Sequence, residues 1–419
     1  MAESELTAYR TRIVDSLLSE LLEELPALMV VGPRAVGKTT TIERRATTVV
    51  RLDRGVEAAA FEADPDVALR GLDEPVLLDE WQAVPGVFGA VRRAVEKDPR
   101  PSRFLMTGSV RAALDHEIWP GTGRVQRLAI YPMTIREQLG RIDGPSFFDK
   151  IASGLDLTVP DDTPDVRGYV GLALRSGYPE PALRLTERPR EVWLESYLSD
   201  LLTHDVEQME VPRTRGRDSH RLRRYFEAYA LNSAGIADHK TVFDAARINR
   251  LTAIAYEELL TDLFVAEQVP AWASNRLKRL VRHPKRYLVD PALIATALRI
   301  DEHGVILDGD LLGRILDTFV LAQLRSEITV AASRPRLFHL RTEQGRHEID
   351  LIVELGGQKL IGIEIKAAAA PTVGDATHLG WLRDEIGARF VAGIVFHTGP
   401  RAYELGDRIV AAPISVLWG

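Results

Sequence analysis

The chain has 419 residues, of which 45% are hydrophobic and 27% are charged, and its formal net charge is −7. This length accommodates about two to four domains with separate cores. The absence of cysteine excludes disulfides and cysteine-ligated zinc sites. No run approaches the roughly 18 apolar residues that span a bilayer, and the polar, acidic amino terminus resembles no signal peptide. We therefore expect a multidomain cytoplasmic protein with no membrane partner.

The stretch GPRAVGKTT has the residue types and spacing of a phosphate-binding loop. The apolar run 27–31 before it is typical of a buried strand, and residues 39–46 lack Gly and Pro and predict a helix. The two glycines allow successive backbone N–H groups to face a phosphate chain, with the helix amino terminus behind them. We predict that ATP is bound by Gly32, Pro33, Arg34, Ala35, Val36, Gly37, Lys38, Thr39 and Thr40. Within this set, Lys38 is expected to reach the β- and γ-phosphates, and the Thr39 hydroxyl to hold Mg²⁺.

Two carboxylates follow a predicted strand about 40 residues after the loop, in PVLLDE. In a phosphate-loop enzyme, Asp79 at this position binds Mg²⁺ and Glu80 takes a proton from the attacking water. A further strand at 103–109 ends in small polar residues, so Thr107 or Ser109 is expected to sense the γ-phosphate or to orient the water. A capped strand end explains these residues equally well. Arg124, followed by Arg127, is the candidate for an arginine finger.

Four segments occur in an order that resembles a known family: GPRAVGKTT, LLDEWQ, FLMTGS and GRVQRLAIYPMTIREQL. They are similar to the prokaryotic AAA-type ATPases that join an AAA domain to a restriction-endonuclease-like C-terminal domain. The similarity continues through 168–183 and 192–206. The resemblance implies an AAA fold, ATP hydrolysis and a homo-oligomer in which an arginine acts on the ATP of a neighbouring subunit.

The middle of the chain is helical and locally basic, with 15 Lys and Arg against 8 Asp and Glu between positions 213 and 286. Predicted strands at 265–269 and 286–289 follow a helix at 249–264, which indicates a winged helix, as in the resembled family. Such a module binds DNA through a helix and a basic wing, although many winged helices bind proteins instead. The phosphate-facing candidates are Arg276, Lys278, Arg279, Arg282, Lys285 and Arg286. A second cluster, which either joins that surface or solvates a helix, is Arg213, Arg215, Arg217, Arg221, Arg223 and Arg224.

A hairpin of predicted strands, 348–354 and 360–366, follows a helix at 310–330. Alternation along the second strand puts Glu364 and Lys366 on one face, and Asp350 lies on the neighbouring strand. Asp350 and Glu364 are therefore predicted to bind a second Mg²⁺, with Lys366 activating water for phosphodiester cleavage. The arrangement resembles the PD-(D/E)xK nuclease core, in which Glu327 would belong to the preceding helix. Asp350 follows His-Glu-Ile rather than Pro, so the start of that motif is absent. An exposed strand face with a surface ion pair is the alternative explanation of the same letters.

Together these patterns predict an α/β protein, with a parallel AAA sheet, a helical and winged-helix region and a nuclease-like C-terminal domain. The expected boundaries are 1–145 for the ATPase, 146–210 for a helical lid or connector, 211–300 for the winged helix and 301–419 for the nuclease-like domain. The expected activity is Mg²⁺-dependent ATP hydrolysis coupled to DNA engagement and DNA cleavage. The alternative is an ATP-dependent switch or remodeller that acts on a protein partner and carries an inactive nuclease-like domain. A toxin-like or defence ATPase fits the same sequence.

Overall fold

A computed structural model describes residues 9–108, 123–155, 157–205, 219–236, 239–272, 283–342 and 346–419. The chain divides into two compact units. The first contains Met1–Met133 with Leu260–Val265, and the second contains Thr134–Leu259 with Ala266–Gly419. Within the described ranges, no helix combines the length and the apolarity needed to cross a membrane.

The first unit is built on a five-stranded parallel sheet with the order β2-β3-β4-β1-β5. All residues of β1, β3 and β4 are buried, as expected for strands of a parallel sheet that is covered on both faces. Because the strands are parallel, the carboxyl ends of these three neighbours lie along one edge. The strands are β1 (Ala27–Val31), β2 (Thr48–Arg51), β3 (Val76–Asp79), β4 (Phe104–Gly108) and β5 (Gln126–Ala129).

Helices connect these strands and complete the core of the first unit. The first helix buries Val14, Leu18 and Leu22, which recur every four residues and therefore share one face. The predicted strands and phosphate-loop helix are confirmed, with ends that differ by a few residues. The helices are α1 (Val14–Glu24), α2 (Lys38–Glu43), α3 (Gly55–Ala63), α4 (Pro65–Ala68) and α5 (Gly86–Lys97).

The second unit begins with short helices and continues into a mainly helical region. Its early helices are α6 (Ile135–Gln138), α7 (Phe147–Ser153), α8 (Val166–Leu174), α9 (Pro179–Leu183) and α10 (Glu187–Asp200). Three more follow, α11 (Ser219–Leu231), α12 (His239–Ala245) and α13 (Arg250–Asp262), the last of which ends beyond the second unit. Strands β6 (Ala266–Val269) and β7 (Lys285–Leu288) then pair antiparallel. The predicted helix and strand pair are present, whereas their assignment to a winged helix remains a prediction.

A six-stranded mixed sheet forms the end of the second unit, with the order β12-β13-β11-β10-β9-β8. Strands β9 and β10 form the predicted antiparallel hairpin, and β10 pairs in parallel with β11. The strands are β8 (Arg336–Arg341), β9 (Glu348–Leu355), β10 (Lys359–Ile365), β11 (Phe390–His397), β12 (Tyr403–Gly406) and β13 (Ile409–Pro413). The helices around it are α14 (Ala292–Leu298), α15 (Glu302–Leu307), α16 (Gly309–Val330) and α17 (Thr377–Ile386).

Candidate active site

The loop between β1 and α2 packs closely against Ile130, the residue that follows β5. Gly32 has φ +150°, and a Cβ atom there would lie 2.2 Å from the carbonyl oxygen of Ile130. Gly37 has φ +92° and Ala35 has φ +58°, so the chain twice enters the left-handed region before the helix begins. Such a loop presents its N–H groups inward, as a phosphate chain requires. The nine residues predicted to bind ATP all lie on this loop and the first turns of α2.

Lys38 is buried inside the loop, with 5% of its surface exposed. Its ammonium donates hydrogen bonds to the carbonyl oxygens of Gly32 at 3.0 Å and Pro33 at 2.8 Å. Burial lowers the pKa of Lys38 to about 8, although the nearby charges of Glu80 and Asp79 act in the opposite direction. A desolvated ammonium that contacts neutral carbonyls fits an anionic ligand, because a phosphate would supply the negative charge that it lacks.

The hydroxyl and carboxylate predicted to hold Mg²⁺ are in direct contact. Thr39 Oγ1 donates a 2.7 Å hydrogen bond to Asp79 Oδ1. The hydroxyl of Thr107, which is fully buried on β4, donates to the same carboxylate oxygen. Hydroxyl and carboxylate oxygens are the hard ligands that Mg²⁺ prefers, so this arrangement fits the ion. Thr107 therefore lies beside the Asp79 carboxylate.

Glu80 follows β3 in a left-handed backbone conformation, with φ 51° and ψ 49°. Its backbone N–H donates to Thr107 Oγ1 at 3.2 Å, and its carboxylate accepts a hydrogen bond from the side-chain amide of Gln82. A Cβ atom on Gly108 would lie 3.0 Å from Gln82 Oε1, so β4 also limits the position of this amide. Gln82 was not among the predicted site residues, although it stands two positions after Glu80 in LLDEWQ.

The other residues predicted to act in ATP hydrolysis are Arg124, Arg127 and Ser109. Arg124 and Arg127 are both exposed, and Arg124 Nε lies 3.7 Å from Glu96 Oε1 on α5. Ser109 lies outside the described residues. The structure therefore brings Lys38, Thr39, Asp79 and Glu80 to one edge of the sheet and gives no position for Ser109.

Asp350, Glu364 and Lys366 form a second polar site on β9 and β10. Lys366 Nζ donates to Glu364 Oε2 at 2.8 Å, and the backbone N–H of Ile365 donates to Asp350 Oδ2 at 3.0 Å. Glu364 is buried, and its Oε1 atom has no hydrogen-bond partner. Burial and the charge of Asp350 raise the pKa of Glu364 to about 8, so this carboxyl is mostly protonated at neutral pH.

A further lysine, Lys285 on β7, reaches this site from the β6–β7 hairpin. Its ammonium lies 2.6 Å from Asp317 Oδ2 on α16 and 3.0 Å from Asp350 Oδ1. Tyr287 donates to the other oxygen of Asp317 at 3.0 Å. Burial alone would lower the pKa of Lys285, but the charges of Asp317 and Asp350 raise it well above its ordinary value. Lys285 therefore stays charged and contacts both acids.

Two expectations about charged residues are wrong. Lys285 and Arg286 were expected to face phosphates, yet they are 2% and 0% exposed, and Arg286 Nε donates to the buried Glu257 at 2.6 Å. The other four cations proposed for the wing, Arg276, Lys278, Arg279 and Arg282, lie outside the described residues. The same holds for Arg213, Arg215 and Arg217 of the second cluster.

Glu327 likewise does not join Asp350 and Glu364. It forms a buried ion pair with Arg136 at 2.9 Å and accepts the N–H of Phe147 at 2.8 Å. The acid of α16 that contacts Lys285, and so lies near Asp350, is Asp317. Asp317 precedes Glu327 by ten positions, which is roughly 15 Å along a straight helix. Among the described residues, no group of three or more His, Asp or Glu side chains is placed to hold a metal ion.

The sequence of the second unit matches two protein families, and most of the chain matches two related proteins. Residues 312–417 match a family described as a domain of unknown function (DUF4143), and residues 166–304 match another (DUF8612). Uncharacterized proteins of Mycobacterium bovis (Mb2031c) and Mycobacterium tuberculosis (Rv2008c) are each 27% identical over 403 residues, which is 94% of this chain and 82% of theirs. None of these descriptions assigns an activity.

Solved structures give weaker likenesses. A variant of Thermotoga maritima RuvB is 18% identical, with a TM-score of 0.30, over 69% of this chain and 94% of that one. The replication initiator DnaA bound to AMPPCP and single-stranded DNA is 13% identical, with a TM-score of 0.28, over 61% of this chain and 89% of that one. Residues 24–139, which include the phosphate loop and the Asp79–Glu80 pair, match the family described as an AAA domain. The first third of the chain is therefore similar to AAA-type P-loop ATPase domains.

Proposed function

We propose that the AAA-type domain binds ATP with Mg²⁺ and hydrolyses it where β1, β3 and β4 end. The observation that carries this proposal is the contact of Thr39 with Asp79 at 2.7 Å, which joins the phosphate loop to the acidic end of β3. A phosphate-binding loop alone indicates anion binding. The direct contact of this loop with the Asp79 carboxylate, and the position of Glu80 next to Asp79 in the chain, support metal-assisted hydrolysis.

Each residue has a role that follows from its position. Lys38 would exchange the carbonyl oxygens of Gly32 and Pro33 for phosphate oxygens, and thereby regain the stabilisation that burial removes. Thr39 and Asp79 would hold Mg²⁺, which when bound neutralises charge on the phosphate oxygens. Glu80 would accept the proton of the attacking water, and the Gln82 amide would set the direction of its carboxylate until the substrate is bound.

Steady-state hydrolysis by the wild type, Glu80→Gln and Glu62→Gln tests this assignment. Removal of a general base typically lowers the rate by about 10²–10⁴-fold, so Glu80→Gln should bind ATP and turn it over slowly. Glu62 is exposed on α3 and serves as the matched control, whose substitution should leave the rate unchanged. Normal turnover by Glu80→Gln would exclude Glu80 as the base.

The homo-oligomer is part of the same proposal, with Arg124 acting on the ATP of a neighbouring subunit. Its exposure supports this role, because an arginine that reaches another subunit must lie at the surface. Mixing Arg124→Ala with Glu80→Gln subunits tests it. If Arg124 acts between subunits, a mixed oligomer contains sites with both residues intact, and activity returns. Mixtures that remain as inactive as the separate variants would contradict the assignment.

DNA contact is a second candidate, which we base on α11. Arg221 and Arg224 are exposed and three positions apart, so they lie on neighbouring parts of one helix surface. The affinity for labelled duplex DNA should fall with rising salt. A double variant with Arg221→Ser and Arg224→Ser should bind more weakly than the wild type at the same salt concentration, and its affinity should depend less on salt. DNA binding that is absent or unaffected by the substitutions would favour the alternative of a protein partner.

Metal-dependent DNA cleavage by Asp350, Glu364 and Lys366 is not included in the proposal. Lys285 lies 3.0 Å from Asp350, and Lys366 lies 2.8 Å from Glu364, so both predicted metal ligands already contact a cation. This geometry supports the alternative in which the C-terminal sheet is an inactive scaffold and ATP hydrolysis drives a conformational switch.

A further inference from the structure

The group of Asp317, Asp350 and Lys285 joins three elements that are distant in sequence: helix α16, strand β9 and strand β7. The side chain of Lys285 is 3% exposed, and those of Asp317 and Asp350 are 10% and 21% exposed. A charged amine this deeply buried requires compensating charges, because desolvation strongly disfavours an isolated ammonium. Asp317 and Asp350 supply that compensation.

Without the lysine, the carboxylates of the same two acids would face one position with no cation between them. Asp317 Oδ2 and Asp350 Oδ1 both face the Lys285 ammonium. Carboxylate oxygens of this kind are what a divalent cation would use. In the protein as it stands, the position between Asp317 and Asp350 is filled by a protonated amine.

The other atoms of the site add to this closure. The second oxygen of Asp350 accepts the N–H of Ile365 at 3.0 Å, and the second oxygen of Asp317 accepts the Tyr287 hydroxyl at 3.0 Å. Each carboxylate is therefore held by one cationic and one neutral donor. A divalent ion next to Asp350 would lie close to an ammonium, and the repulsion between the two cations would be weakly screened in this buried environment.

We propose that Lys285 acts as an internal cation that closes the acidic site of the C-terminal sheet to divalent metal ions. The predicted ligands Asp350 and Glu364 then do not hold Mg²⁺ in this chain. Lys285 also links the β6–β7 hairpin to α16 and β9, so that the polar site connects these elements rather than binding a metal. Removal of the lysine amine is expected to let Asp317 and Asp350 bind a divalent cation in its place.

Titration of the full chain with Mn²⁺, without nucleotide, tests the proposal. All proteins in the experiment carry Thr39→Ala and Asp79→Asn, which remove both metal ligands proposed for the ATPase domain, so failure of the ATPase mechanism does not affect the result. Electron paramagnetic resonance of free Mn²⁺ measures binding. The chain with Lys285 should show no saturable binding, whereas Lys285→Met should bind one ion per chain. Asp350→Asn added to Lys285→Met should abolish that binding, and Lys285→Arg should bind none.

Thermal unfolding provides a second readout. Lys285→Met removes a buried cation from two carboxylates and should therefore lower the melting temperature. Added Mn²⁺ should restore part of that loss in Lys285→Met and should not change the melting temperature of the protein that keeps Lys285. Saturable Mn²⁺ binding by the Lys285 protein that is lost in Asp350→Asn would overturn the proposal, even if Lys285→Met fails to fold. A folded Lys285→Met protein that binds no Mn²⁺ would overturn it as well.

Discussion

The hydroxyl of Thr39 donates a 2.7 Å hydrogen bond to Asp79, although 40 positions separate the two residues in the chain. The contact exists because β1 and β3 flank β4 in a parallel sheet and end at the same edge. It brings together the two oxygen donors that we assign to Mg²⁺, next to a lysine assigned to the phosphates.

Thr39→Ala should weaken Mg²⁺-dependent hydrolysis while leaving the fold intact. Loss of a hydroxyl that interacts with charged groups costs about 1.5–3 kcal/mol, which corresponds to roughly a 10- to 150-fold higher Mg²⁺ requirement. Thr39→Ser keeps the oxygen and is the matched control. The Mg²⁺ dependence of the steady-state rate measures the effect, and equal dependence in the alanine and wild-type proteins would contradict the assignment.

Gly32→Ala should disrupt the phosphate loop. The added Cβ would lie 2.2 Å from the Ile130 carbonyl oxygen, and the positive φ disfavours any L side chain, so the loop must move. Gly55→Ala is the matched control, because a Cβ there meets no atom within 4 Å. ATP binding measured by calorimetry should be lost in the first variant and kept in the second. Wild-type affinity of Gly32→Ala would show that the loop conformation is not required for binding.

ATP binding should be coupled to proton uptake at alkaline pH. Burial lowers the pKa of Lys38 from its ordinary 10.5 to about 8, so the amine of the free protein is mostly neutral at pH 9 and charged at pH 6.5. A bound triphosphate favours the charged form and raises this pKa again, so binding at pH 9 should take up close to one proton.

Calorimetry in two buffers with different ionisation enthalpies measures this uptake. At pH 6.5 the amine is already protonated before ATP binds, so Lys38 should contribute no uptake there, which provides an internal control. Binding without proton uptake at pH 9 would show that the free amine keeps its charge, or that the phosphates do not contact it.

Arg286→Ala should strongly destabilise the second unit. Arg286 and Glu257 form a buried pair at 2.6 Å, and removal of one member of such a pair typically costs about 3–5 kcal/mol, because the remaining charge is left without its partner. Lys240→Ala breaks an exposed ion pair with Asp244 at 2.9 Å on the same unit and should cost about 0.3–0.5 kcal/mol. Urea denaturation compares the two, and similar losses would contradict the burial of Arg286.

The geometry of the candidate ATPase site was predictable from sequence because its parts are local patterns. Residues 32–40 are contiguous, and Asp79 and Glu80 follow a short buried strand, so each half of the site is specified by its neighbours in the chain. The contact of Thr39 with Asp79 then follows from the parallel sheet. The Gln82 amide was missed because its contact with Glu80 depends on the left-handed backbone of Glu80, which the sequence does not specify.

The C-terminal site was only partly predictable because its contacts are long-range. The hairpin of β9 and β10 follows from alternation and a glycine turn, and it places Asp350 near Glu364 as expected. The contribution of Lys285 depends on how the β6–β7 hairpin packs, and a lysine in a basic segment gives no local sign of burial. For the same reason the sequence favoured Glu327, whereas packing of α16 directs Asp317 to Lys285 and Glu327 to Arg136.

The most direct test of the ATPase assignment is calorimetric titration of the full chain with ATP and Mg²⁺, comparing the wild type with Lys38→Ala. The wild type should bind one ATP per chain, and Lys38→Ala should lose this binding while remaining folded. A wild-type protein that binds no ATP, or a folded Lys38→Ala protein that binds it equally well, would show that Lys38 and the loop around it do not hold the triphosphate.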